Sequence, residues 1–181
     1  MTNNVLVFVE QRRGKILPAS FQLLTAAGRL TASTGGRVEA CIIGEGIAAL
    51  VETVAGYGAK KVYTVDDPEL AMYRAMPYAA ALCAAMDAAA PKIVLIPTTF
   101  MGRDLASRVA ARMRSALAID CTELSMDGSD LIVFKPMYAG KFSAKFRLSG
   151  TCLQIATVRT NAYTAAAPQT GAKAEVQTVA L

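Results

Sequence analysis

The stretch PKIVLIPTTFMGRDLASRVAARMRS, residues 91–115, decides the fold class. Ile93, Val94, Leu95 and Ile96 form a short continuous apolar run, three of the four β-branched. Such a run suits a strand buried on both faces, although periodicity alone does not separate it from a buried helix segment. Pro97, Thr98 and Thr99 stop it, since proline has no N–H for the ladder. Gly102, Arg103 and Asp104 then open a helical pattern in which Leu105, Val109 and Met113 recur every four residues beside Ala106 and Ala110. Arg103, Arg108 and Arg112 fall off that stripe. Asp104 near the start, and Arg112 and Arg114 near the end, complement the helix macrodipole. A strand feeding a helix through a polar turn is half of a βαβ unit, and its turn is a place where open α/β sheets receive ligands.

The same rhythm runs back to the N-terminus. Residues 5–9, VLVFV, read as a central strand, and residues 18–31 as a helix with Pro18 in its first turn and Gly35-Gly36 at its end. Residues 38–43 form a second strand, 47–57 a helix and 61–65 a third strand. Asp67 is a candidate N-cap for a short helix to about Ala75, Met76-Pro77 interrupts it, and an alanine-rich helix follows over 77–89. Alternation of this kind implies a parallel sheet with right-handed crossovers.

From Ile119 onward the rhythm changes. Residues 121–126, 130–137 and 141–148 read as three strands with no helix between them, turned at Asp127-Gly128-Ser129 and at Ala139-Gly140. The last alternates Phe142, Ala144, Phe146 and Leu148 against Lys141, Ser143, Lys145 and Arg147. This antiparallel meander, about 120–148, carries a basic face, which reads as a solvated surface or as a contact surface for a protein or an anionic group. Residues 153–158 return as a strand that completes an α/β domain over 1–161. Residues 162–173 have linker composition, and 175–179 alternate as one more strand. A strand after a linker with nothing beyond it is expected of a longer parent protein cut at a domain boundary.

Absences exclude several chemistries. The 181 residues contain no histidine, which removes His-dependent triads, imidazole bases and His metal sites. Cys41, Cys83, Cys121 and Cys152 show no C-x-x-C spacing and read as buried, reduced thiols suited to a reducing cytoplasm. The net charge of +5 is scattered in no run longer than a pair, so nucleic-acid binding is not expected. No apolar run approaches the roughly 18 residues that span a bilayer, and residues 1–4 do not resemble a signal peptide. The expected location is a bacterial cytoplasm, or an organelle matrix after import. No paired carboxylate motif or activated nucleophile marks an enzyme.

Two local features invite a ligand reading. Gly44-Glu45-Gly46 precedes a helix, as phosphate-cradling turns do, and Ala49 satisfies the looser third position of a dinucleotide fingerprint. That fingerprint normally follows the first strand, however, and here it follows the second, so a plain strand-to-helix turn is the alternative. Glu10, just past the first strand, is either a site residue or, on the plainer reading, a solvated loop residue or one that pairs with a nearby arginine.

The segments VLVFVE at 5–10, YGAKKVYTVDDP at 57–68, PTTFMGRDLASRVAARM at 97–113, MYAG at 137–140 and VRTNAY at 158–163 together resemble the N-terminal domain of the α subunit of electron transfer flavoproteins. The resemblance implies a Rossmann-like three-layer α/β sandwich, akin to adenine nucleotide α-hydrolases and universal stress proteins, with a mostly parallel sheet. It implies a heterodimer with a β subunit. FAD would be held mostly by a C-terminal domain beyond a linker like residues 162–173, electrons arriving from acyl-CoA or other flavin dehydrogenases and leaving to a quinone reductase or other acceptor. This chain would be scaffold and subunit interface, a carrier component rather than an enzyme, holding no FAD by itself and with no membrane insertion. Thr99, Gly102, Arg103, Tyr138 and Gly140 are the candidate interface residues. Arg159 is the candidate contact to an anionic group near the flavin. A stand-alone adenine-nucleotide-binding module of the universal-stress-protein type is the other reading, kept open by Gly44, Gly46 and the helix start at Gly102.

Overall fold

The computed structural model describes residues 2–149 and 153–181; Cys152, read as a buried thiol, lies outside the described residues. Strand β1 (Val5–Val9) is buried along its whole length and runs into a small hairpin, β2 (Gln11–Arg12) and β3 (Lys15–Ile16). Helix α1 (Pro18–Thr34) follows, with proline in its first turn and Gly35 at φ 69 closing it, a left-handed cap that favours glycine. Then come β4 (Val38–Gly44), α2 (Leu50–Gly56), β5 (Lys61–Asp66), α3 (Ala75–Ala89), β6 (Ile93–Pro97) and α4 (Phe100–Met113). After α4 come β7 (Ala116–Cys121), β8 (Glu123–Asp127), β9 (Asp130–Met137), β10 (Phe142–Leu148), β11 (Gln154–Val158) and β12 (Glu175–Thr178).

Seven strands form one parallel sheet in the order β12-β5-β4-β1-β6-β11-β7. Helices α1 and α2 cover one face and α3 and α4 the other, which makes the expected three-layer α/β sandwich. The central strands are apolar on both sides because both faces are covered. Ile93, Val94, Leu95 and Ile96 are all fully buried, and each such side chain contributes about 1.5–3 kcal/mol. Strands β8, β9 and β10 form a separate antiparallel sheet, the expected meander.

Several boundaries differ from the sequence reading. Helix α4 starts at Phe100 rather than at Gly102, because Thr99 caps it: its hydroxyl accepts the Gly102 N–H at 2.9 Å. Ala116–Cys121 is a strand of the main sheet, so the meander begins only at Glu123. Met76-Pro77 does not interrupt a helix. Pro77 is the third residue of α3, where its missing N–H is not needed. The short helix expected after Asp67 is a single 3-10 turn, Pro68–Leu70, although Asp67 does cap it, accepting the Glu69 N–H at 2.8 Å. Helix α2 begins at Leu50 rather than at Ile47. Among the thiols, Cys41 and Cys121 are buried and Cys83 only partly so.

The segment 162–173 forms no helix or strand but lies against the sandwich. Ala166 N–H reaches the Thr25 hydroxyl at 2.9 Å and Gln169 N–H the Gly56 carbonyl at 2.8 Å. Strand β12 then adds to the edge of β5, where Lys61 Nζ meets Glu175 Oε1 at 2.8 Å. Among the described residues no helix is long and apolar enough to cross a membrane.

Candidate functional site

The sheet order reverses between β1 and β6, since the chain goes from β1 through β4 to β5 and then crosses back. Open α/β sheets bind ligands outside the C-terminal ends of the strands at such a switch point. Glu10 follows β1 there, and Pro97, Thr98 and Thr99 end β6.

Glu10 is not a solvated loop residue: it is 0% exposed. Its Oε2 accepts the Thr99 hydroxyl at 2.6 Å, and its Oε1 lies 3.3 Å from Arg12 Nη2, so the pairing half of the alternative reading holds. Its carbonyl accepts Leu17 N–H at 2.9 Å, and its own N–H donates to Ser20 Oγ at 2.9 Å. These bonds fold the β2–β3 hairpin back over the strand ends. Gln11 Nε2 reaches the Ile43 carbonyl at 3.1 Å. The crevice at the switch point is therefore filled by the chain, with a carboxylate at its centre.

The glycine turn after β4 is filled in the same way. Asp66, at the end of β5, accepts the Gly46 N–H at 2.8 Å through Oδ1 and the Ile47 N–H at 3.1 Å through Oδ2. These are the backbone donors that would cradle a phosphate. Helix α2, with seven residues, adds little dipole behind them. A cavity of about 670 Å³ opens beside this turn, lined by Glu52 and Asp66 and by one cation, Lys173. The Asp66 carboxylate that already holds the turn's N–H groups would repel a phosphate placed on them.

A row of hydroxyls continues across the strand ends. Thr98 Oγ1 meets Thr157 Oγ1 at 3.0 Å, and Thr157 Oγ1 accepts the Asp120 N–H at 2.9 Å. Asp120 then takes Arg159 in a two-point pair, Nε to Oδ1 at 3.1 Å and Nη2 to Oδ2 at 2.6 Å. The Arg159 guanidinium holds the Asp120 carboxyl below its usual range. Arg159 keeps 46% of its side chain exposed, which leaves its outer N–H groups free to face solvent. Thr157 and Asp120 were missed in the sequence; the only signals were a polar residue near the end of an apolar strand and an acid after an apolar run.

This pair sets a pH expectation. A carboxyl held low in the folded state stabilises fully above its unfolded pKa, about 3.9, and that stabilisation is lost as the pH falls through the lower folded value. Arg159→Ala is expected to bring the Asp120 carboxyl back toward its ordinary value, read by NMR titration of the carboxyl carbon. An unchanged titration would contradict the pairing.

The other sequence candidates are dispersed. Thr99 caps α4, Gly102 is buried in its first turn, and Arg103 is exposed on the same turn, close enough to Asp120 to help lower its pKa. Asp104 pairs with Arg108 at 2.9 Å and accepts the Tyr73 hydroxyl at 2.6 Å, a bond that with Arg108 holds its carboxyl low. Tyr138 and Gly140 lie at the far turn of the meander, where Tyr138 is at φ 51 and its ring meets that of Phe142 edge-on at 5.9 Å. The structure thus brings Thr99, Gly102, Arg103 and Arg159 to one edge and leaves Tyr138 and Gly140 apart from them.

Near the switch point an apolar hollow of about 430 Å³ is lined by Arg12, Arg13, Met72, Tyr73 and Phe100, with Phe100 93% exposed. Among the described cysteines, burial pushes the Cys121 thiol up to about 11, the Cys41 thiol higher still, and raises the half-buried Cys83 as well. No group of three or more metal-ligating side chains occurs among the described residues.

The fold and its edge define a Rossmann-like α/β domain in which the chain's own carboxylates occupy both places where a phosphate is usually received. Residues 5–181 match the model of the electron transfer flavoprotein domain, and the chain belongs to that family. It is 34% identical over 157 residues to the electron transfer flavoprotein subunit alpha of Thermoanaerobacterium thermosaccharolyticum, covering 86% of this chain and 48% of the relative. It is 36% identical over 162 residues to the Acetobacterium woodii protein named lactate dehydrogenase (NAD(+),ferredoxin) subunit LctC, covering 89% of this chain and 39% of that one. It is 35% identical over 131 residues to the acryloyl-CoA reductase electron transfer subunit beta of Anaerotignum propionicum, covering 72% and 36%. The chain thus spans less than half the length of these relatives.

Proposed function

We propose that this chain is the N-terminal, non-catalytic domain of an electron transfer flavoprotein α subunit, acting as scaffold and as interface to a β subunit. The whole protein, in a bacterial cytoplasm, passes electrons from acyl-CoA or other flavin dehydrogenases to a quinone reductase or other acceptor. FAD, when bound, supplies the one- and two-electron chemistry, and it is held outside this domain. One observation carries the reading. The turn N–H groups of Gly46 and Ile47 are satisfied by Asp66, and the switch-point crevice is filled by Glu10 bound to Thr99. A pyrophosphate would have to displace a carboxylate at either place and would meet its negative charge.

The residues of this domain therefore do not fit the phosphates of FAD or of an adenine nucleotide. Arg159, beside the exposed Arg103, is a cation of the strand-end edge whose outer face is open to an anion brought by a neighbouring domain. The family's dehydrogenase-linked relatives, named for lactate and acryloyl-CoA conversion, support a carrier role beside a partner enzyme.

Calorimetry of the isolated chain with AMP, ATP and FAD tests the reading. No binding up to high micromolar concentrations is the expected result. Micromolar binding of AMP or ATP would overturn it in favour of a nucleotide module of the stress-protein type.

A further inference from the structure

We infer that the cavity between α2, β5 and β12 is a binding site for a small organic cation, an apolar primary amine whose ammonium group faces Thr64, Asp66 and Glu52. The inference goes beyond the α-subunit reading and does not depend on it.

The cavity exists because the sandwich is thin at this corner. Helix α2 has only seven residues, and β12 lies at the edge of the sheet. Partners in register on parallel strands face the same way, so Val62 and Thr64 on β5 share a face with Val176 and Thr178 on β12. Val62 belongs to the core under α1 and α2, which puts this face on the α2 side. The segment 171–174, without helix or strand, closes the opposite side. The side chains that meet across the gap are small, among them Ala48, Ala55 and Ala174, and the cavity between them measures about 670 Å³. That volume is ordinary for a small-molecule site.

One side chain marks a site rather than a packing gap. Thr64 is 6% exposed and lines the cavity, yet its hydroxyl bonds no group of the described chain. It is not sealed in either. Among the described residues, the unpartnered side-chain oxygens closed off from open space belong to Glu39 and Ser115. The Thr64 oxygen therefore opens into the cavity. Buried hydroxyls are ordinarily hydrogen-bonded, and a partner for this one has to come from the cavity side.

The charges specify the ligand's polar end. Glu52 and Asp66 line the cavity against one cation, Lys173. Asp66 gives one oxygen to each of the Gly46 and Ile47 N–H groups, and each carboxylate oxygen has a second lone pair to offer. Glu52 and Lys173 enter none of the ion pairs among the described residues. Two carboxylates and a hydroxyl, all able to accept, match the N–H donors of a primary ammonium group. The rest of the lining, Val51, Ala55, Ala174 and Val176, suits a hydrocarbon body. Lys173, on the exposed 171–174 segment, opposes the ligand's charge.

Calorimetry of the 181-residue chain with phenethylamine, in its cationic form, tests the inference, with phenylpropionate as the anion of like shape. Submillimolar binding of the amine and none of the anion is the expected result. Thr64→Val keeps the shape and removes a hydrogen bond to a charged group, so it should weaken the amine about tenfold. Glu52→Gln should weaken it about threefold, since this carboxylate is exposed. Lys173→Ala should strengthen it. Glu52 and Lys173 are exposed and valine nearly matches threonine in shape, so the three variants should melt close to the parent. Equal binding of amine and anion would overturn the inference, as would an amine affinity that Thr64→Val leaves unchanged. Failure of the amine to bind at low millimolar concentration would overturn it as well. None of these outcomes touches the α-subunit reading, because association with a β subunit is measured without any amine.

Discussion

Gly102→Ala is expected to destabilise the chain by about 3 kcal/mol, at the upper end of overpacking costs. For a chain of this size that is a fall in Tm of roughly 6–12 °C. The effect is steric and not conformational, since Gly102 has no positive φ. It is the third residue of α4, and its Cα lies against the strand that precedes the helix. A Cβ built there would overlap the Pro97 carbonyl oxygen and crowd Ile96. The carbonyl is backbone and cannot swing aside, so either the helix start or the end of β6 must move. Gly28→Ala is the control. Gly28 stands inside α1 with nothing within 4 Å of a Cβ, so alanine should be neutral or stabilising by up to about 1 kcal/mol. Equal melting temperatures for Gly102→Ala and the parent would show that α4 does not press on β6 in this way.

Thr99→Val should cost about 2–4 kcal/mol, measured by urea unfolding. Two losses combine. The cap on α4 goes, worth about 1 kcal/mol. The hydroxyl that serves the buried Glu10 carboxylate at 2.6 Å goes as well, and a hydrogen bond to a charged group contributes about 1.5–3 kcal/mol. Thr99→Ser keeps both bonds and should cost less than about 1 kcal/mol. A double-mutant cycle with Glu10→Gln separates the two losses. A coupling between about 0.5 and 3 kcal/mol is expected for residues in direct contact. Additive effects would mean that Thr99 acts only as a helix cap and that Glu10 is held by other groups.

The contrast between these two residues shows what the sequence can reveal. The apolar runs at Val5–Val9 and Ile93–Pro97 betray central strands because both faces are covered, and burial on both faces leaves no polar alternation. Alternation in Phe142–Leu148 marks a strand with two unlike sides. The sequence leaves Glu10 open between a site residue, a solvated residue and an arginine partner, because its burial depends on Thr99, 89 residues away, and on a hairpin that folds back over it. No local pattern encodes that meeting. The Gly44–Gly46 turn resembled a phosphate cradle because the residue that fills it, Asp66, comes from the next strand.

Ala116–Cys121 was hidden for a different reason. It follows α4 after only Arg114 and Ser115, and its alanines and leucine continue the composition of the helix. The break comes from Arg114, which takes the left-handed conformation at φ 49 without a glycine to announce it. The candidate residues on the strand ends, Thr99, Gly102, Arg103 and Arg159, were legible because a parallel sheet sends every polar turn of one kind to the same edge.

On the proposed reading, this domain works through a protein partner and not through a nucleotide or flavin of its own. Co-expression of the chain with its cognate β subunit, followed by size-exclusion chromatography with light scattering, tests it most directly. A one-to-one complex that forms without added nucleotide or flavin is the predicted result. A chain that stays alone in the presence of the β subunit, yet binds AMP or ATP at micromolar concentration, would contradict it.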